Sequence, residues 1–528
     1  MQKVDVLIVD ALGTGSGRRR FSRNSIGSGP RAIAGVLERL DYTVKIMTGE
    51  FALLHPRKLF SATNLAISGM TMDMPAIFKI VKKWYKRRDR RVLIGGPVTS
   101  DPSHILSKDK RSILVIGEGE RTVFELAKSG FFEGKRLDLY NQKGIAFFDN
   151  KVIETQSQEL LSQDEYDNFI PSTQRIVDYP YYRASKIYVN VLRGCSNFYR
   201  TTLTLANGKK CIDCKLCFSG PLELRMKCPV DIPPGCGFCS VPNVWGAPRS
   251  RSKWSIIKEI EELVELGVSR ILLEAPDFLD WQRLHGRPMT DPCEPKANVE
   301  AIEDLLIEIT NIIKSKGKQT DVTIENIKAC LLDEEVAKVI AKYLPNSSLN
   351  IGCETGDTSH YLSIGKPGSP QVVLNAVRTA VSYGLSPFVY FIHGLPGQTK
   401  KTVLKTEQFM WKIYNMGASR IILYGFRSLP RSAFYGMPEE SSNLSSESMI
   451  LVRAAEKINA EIKKKYIGKI IDVVAAEPLK NPRGYTITYP IGPEPVVSVK
   501  GDFSSGTFLR VKIIRVISDR LLEGRVVQ

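Results

Sequence analysis

Several features that would assign this chain to other classes of protein are missing from it. Its first 194 residues contain no cysteine, the whole chain has five histidines, and no stretch approaches 18 consecutive apolar residues. The missing apolar run predicts that no helix spans a membrane. The N-terminus reads as a strand followed by a glycine loop, and not as a signal peptide. We therefore expect a cytoplasmic protein whose cysteines stay reduced.

The composition is that of a globular protein with an excess of positive charge. Of the 528 residues, 43% are apolar and 25% are charged, which is ordinary, and the length predicts about three domains. The net charge of +18 favours nucleic acid or an anionic membrane surface as a partner. The densest basic run, Lys82–Arg91, is interpreted as a solvated helix end, whereas Arg18–Arg20 lies in a glycine loop and suggests a bound anion.

Residues 1–155 alternate short strands and helices. Val4–Val9 is a continuous apolar run, which predicts a buried parallel strand, and Pro30–Leu40 reads as a helix. Glycine-rich turns follow several of the strands, as at Gly95–Pro97. We therefore expect a Rossmann-like α/β domain, a doubly wound sheet with a binding crevice at its strand ends, and then a linker over residues 156–185.

A second α/β series covers residues 186–435. The predicted strands are 187–192, 270–274, 321–325, 349–353, 387–392 and 420–425. Six strands separated by helices predict a partial (β/α)6 barrel. In complete barrels the chemistry lies at the carboxyl ends of the strands, which is where Cys195, Glu274, Glu354 and Gly394 fall.

The last part of the chain, residues 445–528, differs from both series. It begins with a charged helix over Glu447–Lys465 and continues as five short β runs broken by turn residues. A five-stranded module of this size predicts a small barrel of the OB type.

Seven of the ten cysteines lie within 45 positions. They are Cys195, Cys211, Cys214, Cys217, Cys228, Cys236 and Cys239. Packing alone does not require such a density of thiols, and cysteines at this spacing are typical of metal ligands. The pattern favours iron–sulfur clusters over zinc.

Three of these cysteines resemble the signature of radical SAM enzymes. That family carries a Cys-x3-Cys-x2-Cys loop after the first strand of a six-stranded partial barrel, with an aromatic residue before the last cysteine. Cys195 follows a strand-like run, and Cys236, Phe238 and Cys239 complete the pattern after an insert over residues 196–235. Cys228 is the rival of Cys195 for the first position.

The resemblance implies a cofactor set and a reaction. Three cysteines on a [4Fe-4S] cluster leave one iron open, and in the family that iron binds S-adenosylmethionine (SAM). Reductive cleavage of SAM then yields a 5′-deoxyadenosyl radical, with electrons from a reductant such as ferredoxin or flavodoxin. A dry pocket is needed to protect the radical.

Further segments of residues 186–430 extend the resemblance. Glu354 is similar to the fourth-strand glutamate that contacts the SAM ribose. Gly394, Pro396 and Gly397 resemble the fifth-strand turn that lies against the adenine, with Gln398 in place of the usual glutamate. Glu274 and Asp277 follow the second strand, near where the family binds the SAM amino group.

The insert has a metal pattern of its own. Cys211, Cys214 and Cys217 are spaced two residues apart, and Cys228 precedes Pro229, which resembles a ferredoxin run. We expect an auxiliary iron–sulfur cluster here, with zinc as the alternative. Four protein ligands would leave no iron open, so this site would relay electrons or hold local structure. Sequence reasoning assigns the three cysteines left over to buried apolar positions: Cys293, Cys330 and Cys353.

Residues 1–155 resemble the cobalamin-binding-like domain found in one branch of radical SAM enzymes. Ser68–Gly69, Gly95–Pro97 and Gly117–Glu120 carry the likeness, but Leu12 stands where the family's cobalt-binding histidine would be. We expect a scaffold that shapes the substrate pocket, with cobalamin as the alternative.

The C-terminal module is similar to a TRAM domain, which accompanies RNA-modifying enzymes, including radical SAM tRNA methylthiotransferases. Those enzymes have a cysteine-bearing N-terminal domain, which this chain lacks. The sequence therefore predicts a radical SAM enzyme that modifies an unactivated C–H position of an RNA nucleoside, in tRNA or rRNA. Two alternatives are a radical enzyme that tailors membrane lipid chains and a non-enzymatic RNA-binding metalloprotein.

Overall fold

The computed structural model describes residues 4–17, 25–284, 289, 291–440, 443–518 and 520–527. Arg18–Arg20, the segment predicted to bind an anion, lies outside the described residues. The strands are β1 Val4–Asp10, β2 Ser25–Ile26, β3 Val44–Thr48, β4 Ala62–Ser68, β5 Leu93–Gly95, β6 Ile113–Val115, β7 Ile145–Asp149, β8 Lys151–Glu154, β9 Lys186–Asn190, β10 Leu192–Arg193, β11 Arg249–Ser250, β12 Arg270–Glu274, β13 Asp321–Ile324, β14 Asn326–Ile327, β15 Ser348–Glu354, β16 Ser386–His393, β17 Arg420–Gly425, β18 Ile470–Pro478, β19 Tyr485–Pro490, β20 Val496–Lys500, β21 Phe508–Val516 and β22 Leu521–Val526. The helices are α1 Gly29–Glu38, α2 Gly49–Leu54, α3 Met74–Trp84, α4 Pro102–Leu106, α5 Gly119–Lys128, α6 Gln163–Asn168, α7 Leu222–Met226, α8 Val241–Trp245, α9 Lys253–Glu265, α10 Val299–Ser315, α11 Glu334–Tyr343, α12 Thr358–Ser363, α13 Pro370–Ser382, α14 Lys400–Asn415 and α15 Ser446–Lys464.

The chain divides into two compact units. The first contains residues 1–189 and 251–268, and the second contains residues 190–250 and 269–528. Helix α9, which follows the cysteine-rich segment in sequence, thus belongs to the first unit. No helix among the described residues is both long and apolar enough to cross a membrane.

The first unit is built on a seven-stranded sheet of order β3-β1-β4-β5-β6-β7-β8. The first five of these strands are parallel, and β7 and β8 are antiparallel additions at one edge. Val6 to Val9 are almost fully buried, because helices cover a parallel sheet on both faces. The predicted strand over Val4–Val9 and the predicted Rossmann-like α/β arrangement are confirmed.

The segment predicted to be a linker is folded within the first unit. It contains α6, whose first turn has a capping box between Ser162 and Glu165, and its Tyr179 hydroxyl donates to Asp10 Oδ2 at 2.8 Å. In the same unit, α9 carries the buried Glu259. Glu259 pairs with the equally buried guanidinium groups of Arg31 and Arg251.

The second unit carries the strands of the predicted barrel series from β12 onward. Strands β12 and β13 pair in parallel, and β14, β15, β16 and β17 form a second parallel set. The predicted strands 270–274 and 420–425 have the same limits as β12 and β17. Parallel strands place their carboxyl ends at one edge, so the loops that follow them can share a site.

The last five strands form a closed barrel of order β18-β19-β20-β22-β21, which confirms the OB-like prediction. Its core consists of alternate inward residues, such as Val473, Val497 and Val511, with exposures of 1% or less. The guanidinium of Arg270, at the start of β12, lies 5.6 Å from the centre of the Tyr489 ring. Both side chains are buried, so this contact fastens the barrel to the start of a core strand.

For two of the three cysteines outside the seven clustered ones, the prediction of a buried apolar position is wrong. Cys293 and Cys330 form a disulfide with their Cα atoms 5.4 Å apart, and both are partly exposed. The loop after β12 folds back so that Arg283 donates to Pro292 O at 3.1 Å, and this brings Cys293 beside the segment that follows β14. The pairing spans 37 positions, and sequence spacing does not reveal such a contact. Cys353 is fully buried, as predicted.

Candidate active site

Cys195 is held at a crossing of two chain segments. Strands β10 and β11 pair antiparallel, Leu192 with Ser250 and Arg193 with Arg249, and the Cys195 amide donates to Gly246 O at 3.0 Å. Gly194 has a positive φ of 85°, and a Cβ there would lie 2.2 Å from Ala247 O. Glycine at position 194 is thus required for the close approach that places Cys195.

Cys236 and Cys239 lie in a tight turn just before α8. The Cys239 amide donates to Cys236 O at 2.8 Å, and the Gly237 amide donates to Ile364 O at 2.8 Å. A Cβ on Gly237 would lie 2.4 Å from the Phe434 ring. Phe238 packs against an apolar cluster that includes Phe434, so an aromatic residue before the last cysteine helps to close the site.

One asparagine joins the two segments. The Asn197 amide nitrogen Nδ2 donates to Cys236 Sγ at 3.3 Å and to Gly365 O at 3.0 Å. Its backbone N–H lies 3.5 Å from Cys195 Sγ. The structure therefore groups Cys195, Cys236 and Cys239, which we call the trio.

The protein around the trio disfavours thiolates. Burial raises the pKa of Cys195 to about 11, and nearby Lys328 offsets only part of that effect. Burial and the two neighbouring cysteines raise the pKa of Cys239 to about 12. Thiols in such a setting are stable as anions only beside a bound cation, and a coordinating metal deprotonates them.

A buried lysine lies next to the trio. Lys328 follows β14, and its Nζ donates to Asp277 Oδ2 at 2.7 Å, to Asp280 Oδ2 at 2.6 Å and to Ser196 Oγ at 2.9 Å. The two carboxylates raise the pKa of Lys328, although burial alone would lower it. Asp277 is 1% exposed and also accepts the Lys328 backbone N–H at 3.0 Å. The aspartate predicted to bind the SAM amino group thus orders the loop beside Cys195.

Glu354 ends β15 in an unusual backbone conformation. Its φ is 66°, which costs energy for a residue with a Cβ, and its side chain pairs with Lys366 Nζ at 3.1 Å. A Cβ on Gly352 would lie 2.5 Å from Glu354 Oε1, so glycine at 352 leaves room for the carboxylate. Burial would lower the pKa of Lys366, but the charge of Glu354 raises it.

The turn after β16 is fixed by a histidine and a glutamine. His360 Nε2 lies 2.8 Å from Pro396 O, and its Nδ1 lies 3.2 Å from Thr355 Oγ1. Gln398 donates to Ile392 O and accepts the Leu395 amide. The predicted turn at positions 394, 396 and 397 is thereby tied to the end of β15. Glu274 ends β12, and its backbone oxygen accepts the Val191 amide at 2.9 Å.

The other four clustered cysteines line one small cavity in the insert. These are Cys211, Cys214, Cys217 and Cys228, which we call the quartet. Cys214 is exposed and Cys217 is buried. Asp213 and Lys215, on either side of Cys214, both have positive φ values, which curl the chain around it. Cys228, the rival of Cys195, lies with the quartet.

Four consecutive residues connect the two cysteine groups. Asn197 contacts the trio, whereas Arg200 lines the quartet cavity. Arg200 is 5% exposed, and its guanidinium donates to Ile232 O at 2.7 Å and to Arg225 O at 2.8 Å. Its charge and a hydrogen bond oppose the rise in the pKa of Cys217 that burial causes. The backbone from 197 to 200 is thus a short covalent link between the groups.

The donors of the trio fit a four-iron cluster with one open iron. Three thiols converge in a protein setting that needs a metal to stabilise their anions, and three thiolates are one fewer than a closed cluster requires. Among the described residues, no three histidine, cysteine or carboxylate side chains are close enough together to hold a single metal ion.

Sequence reasoning missed five residues of this site. They are Asn197, Asp280, Lys328, His360 and Lys366. Lys366 lies in Gly365-Lys366-Pro367-Gly368, a glycine-rich turn whose composition could have marked it. Nothing in the sequence distinguishes Lys328 from the many other lysines, because its partners Ser196 and Asp277 are distant in the chain.

Comparison with known proteins establishes the family. The profile of the Radical SAM superfamily matches residues 227–410, a segment that contains Cys236 and Cys239. A protein of Methanocaldococcus jannaschii, named Uncharacterized protein MJ1620, is 39% identical over 99% of this chain and 98% of its own length. Another from Methanopyrus kandleri, MK0932, is 38% identical over 99% and 96%. The chain therefore belongs to the radical SAM superfamily and is an enzyme.

More distant comparisons agree with this fold. The ribosomal protein uS12 methylthiotransferase RimO of Clostridium botulinum is 22% identical over 62% of each chain. The radical SAM methyltransferase TsrM of Kitasatospora setae has a TM-score of 0.58, 15% identity, and covers 81% of this chain and 74% of its own. The cobalamin-dependent enzyme OxsB has a TM-score of 0.56, 13% identity, and covers 77% and 51%. The N-terminal Rossmann-like unit is thus cobalamin-binding-like in fold.

The loop after β1 does not supply a histidine to cobalt. Leu12 occupies the expected position with a φ of 52°. The loop is bound to Asp73, whose carboxylate accepts the Gly13 and Gly15 amides, each at 2.8 Å. The histidines of this unit, His55 and His104, lie at the end of α2 and within α4. These residues do not fit a histidine-ligated cobalamin.

Proposed function

We propose that this radical SAM enzyme modifies an unactivated C–H position of an RNA nucleoside, in tRNA or rRNA. The observation that carries the chemistry is that Asn197 contacts the sulfurs of Cys195 and Cys236, while the Cys239 amide donates to Cys236 O. In this proposal the trio holds the [4Fe-4S] cluster. Glu354 and the turn at Gly394–Gly397 hold SAM. The quartet holds a second iron–sulfur cluster, which fits better than zinc because no three of the described cysteine, histidine or carboxylate side chains lie close enough together for a single metal ion.

The bound cluster and SAM would together supply a hydrogen-abstracting radical after one-electron reduction. The chain's own residues prepare that step. Asn197 orients two of the three thiols, and the Lys328 network fixes the loop that carries Cys195. The apolar cluster around Phe434 and Phe238 excludes water from one side of the site, which protects a reactive species.

The case for RNA rests on the last domain and on charge. A closed five-stranded barrel of this kind suits nucleic acid, and we interpret it as a TRAM domain. The net charge of +18 favours a polyanionic partner. RimO, whose name states that it modifies ribosomal protein uS12, gives a second candidate substrate, a protein of the ribosome.

The surroundings of Glu354 speak against a lipid chain as the substrate. Tyr390 lies on the strand next to Glu354 and stacks on Tyr424 with ring centres 5.8 Å apart. Glu325, Arg420 and Glu354 all act electrostatically on the Tyr390 hydroxyl. Polar and aromatic groups of this kind favour a planar polar substrate over an acyl chain.

The test has two arms. Anaerobically reconstituted protein, reduced with dithionite, should cleave SAM to 5′-deoxyadenosine and methionine. Nucleoside mass spectrometry of tRNA and rRNA from a strain without the gene should show one modification missing. An unchanged nucleoside profile with an altered ribosomal protein would favour the second candidate, and altered membrane lipids would overturn both.

A further inference from the structure

The strongest unassigned feature of the first unit is a concentration of positive charge at one edge of its sheet. Three segments contribute, residues 56–61, 82–91 and 107–111, and we call them together the basic edge. They contain twelve lysines and arginines and two aspartates. The first segment precedes β4, the second β5 and the third β6. These strands are neighbours and parallel, so the segments meet where the strands begin.

Side-chain contacts join the three segments into one surface. The guanidinium of Arg87 lies 5.3 Å from the centre of the Phe60 ring, and Arg88 donates to Phe60 O at 3.3 Å. Arg111 lies 3.9 Å from the centre of the Tyr85 ring and pairs with Asp89 at 3.2 Å. Aromatic rings therefore hold the guanidinium groups of Arg87 and Arg111 in position.

Most of this charge faces solvent and is not neutralised within the edge. Ten of the twelve basic residues are exposed: Arg57, Lys58, Lys82, Lys86, Arg87, Arg88, Arg91, Lys108, Lys110 and Arg111. Of the two aspartates, Asp109 is 8% exposed, and Asp89 is paired with Arg111. The dipole of α3 favours cations in its last turn, but only Lys82 and Lys83 lie there. Helix stability thus accounts for few of these residues.

The geometry points to the basic edge as a docking surface for the phosphate backbone of an RNA substrate. Several fixed cations on adjoining loops match a chain of phosphates, which releases counterions when it binds. None of the large, well-exposed apolar side chains of the described residues lies in these three segments. Insertion into a lipid interface would need such groups, so the observations favour RNA over an anionic membrane.

The location of the basic edge would keep RNA binding separate from ligand binding in the crevice. In a doubly wound sheet the ligand crevice lies at the carboxyl ends of the strands, and the basic edge lies at the opposite ends. Phosphates bound there would position RNA without occupying the crevice. This inference rests on the proposed function, because an RNA substrate supplies the polyanion.

The test neutralises charge without cutting the contacts that join the segments. The basic-edge variant carries Lys58→Gln, Lys82→Gln, Lys86→Gln and Arg91→Gln, all at exposed positions. The control variant carries Lys314→Gln, Lys318→Gln, Lys338→Gln and Lys401→Gln, also exposed, and loses the same net charge. Both are used as full-length reconstituted protein, and binding of a fluorescein-labelled tRNA transcript is measured by anisotropy from 50 to 300 mM salt.

We expect the basic-edge variant to bind the transcript about ten- to a hundredfold more weakly at about 0.15 M salt, with a salt slope smaller by about 3. The control variant should stay within about threefold of the unchanged protein. Equal binding by the two variants would overturn the inference and leave the proposed function standing. Unchanged protein that does not bind the transcript would overturn both the inference and tRNA as the substrate in the proposed function. Loss of binding to phosphatidylglycerol vesicles with unchanged tRNA binding would assign the surface to a membrane instead.

Discussion

The trio and the quartet use the same type of side chain in two different settings. The quartet lies within an 18-residue segment, Cys211–Cys228, and most of that segment is exposed. The trio is assembled by the loop after β10, the turn before α8, and side chains that follow β14 and β15. Local spacing builds one site, and tertiary contacts build the other. Substitutions at residues that lie far in sequence from the trio's cysteines should therefore disturb the trio and leave the quartet unchanged.

The largest effect is expected from the cysteines themselves. Cys195→Ala should abolish SAM cleavage and lower the iron content from about eight to about four per chain. Cys228→Ala should lower iron by a similar amount but leave the trio able to cleave SAM. Iron and sulfide analysis with a 5′-deoxyadenosine assay measures both.

Cys353→Ala is the matched control, since Cys353 belongs to neither group. It should keep both the iron content and the cleavage. If Cys228→Ala abolished cleavage and Cys195→Ala did not, the assignment of the first ligand would be reversed. If the insert holds zinc, the unchanged protein should contain about four irons.

Lys328→Met should be the next largest change. It leaves the buried carboxylates of Asp277 and Asp280 without their lysine, and breaking a buried pair costs about 3–5 kcal/mol. Urea unfolding should show a large loss of stability. Lys215→Met is the comparison in the insert, where Lys215 and Asp213 are both well exposed, and its unfolding curve should match the unchanged protein. Equal curves for both variants would show that Lys328 does not support the fold.

Asn197→Ala should weaken the trio without removing a ligand. Outer-shell partners of metal ligands typically contribute 10- to 100-fold to metal affinity, and Asn197 contacts the sulfur of Cys236. Under a chelator, we expect the variant to lose about half of its iron early and the rest at the normal rate. Asn207→Ala, at an exposed position in the insert, should lose iron as the unchanged protein does. Uniform loss from both groups would contradict the separation of the sites.

The smallest expected effect depends on pH. Burial lowers the pKa of His360, whose ring contacts the turn that we propose holds SAM. The folded turn therefore favours the neutral imidazole, and an opened turn would bind a proton more readily. As the pH falls below about 6.5, the opened form gains stability by up to about 1.4 kcal/mol per pH unit. SAM affinity measured by calorimetry should therefore weaken between pH 7.5 and 5.5.

His360→Gln should flatten this pH profile, although it weakens SAM binding at pH 7.5. The insert contains no histidine, so the spectrum of the quartet's metal should not change over the same range. A profile that is the same with and without His360 would show that another group titrates.

Much of the fold could be predicted from the sequence because its signals are local. The apolar run of β1, the limits of β12 and β17 and the five short β runs of the barrel follow from periodicity and turn residues. Two predictions depended on distant contacts and differed from the structure. The segment over 156–185 packs within the first unit, and Cys293 pairs with Cys330.

The sequence alone determined the two kinds of cysteine spacing and the order of strands around them, because ligand spacing and strand periodicity are properties of short segments. Only the tertiary structure decided which lysine and which side-chain amide lie beside the trio. Lys328 and Asn197 reach Ser196, Asp277 and Cys236 across loops that are adjacent only when parallel strands align their carboxyl ends. A buried charge needs a partner within about 3 Å, and chain folding sets that distance.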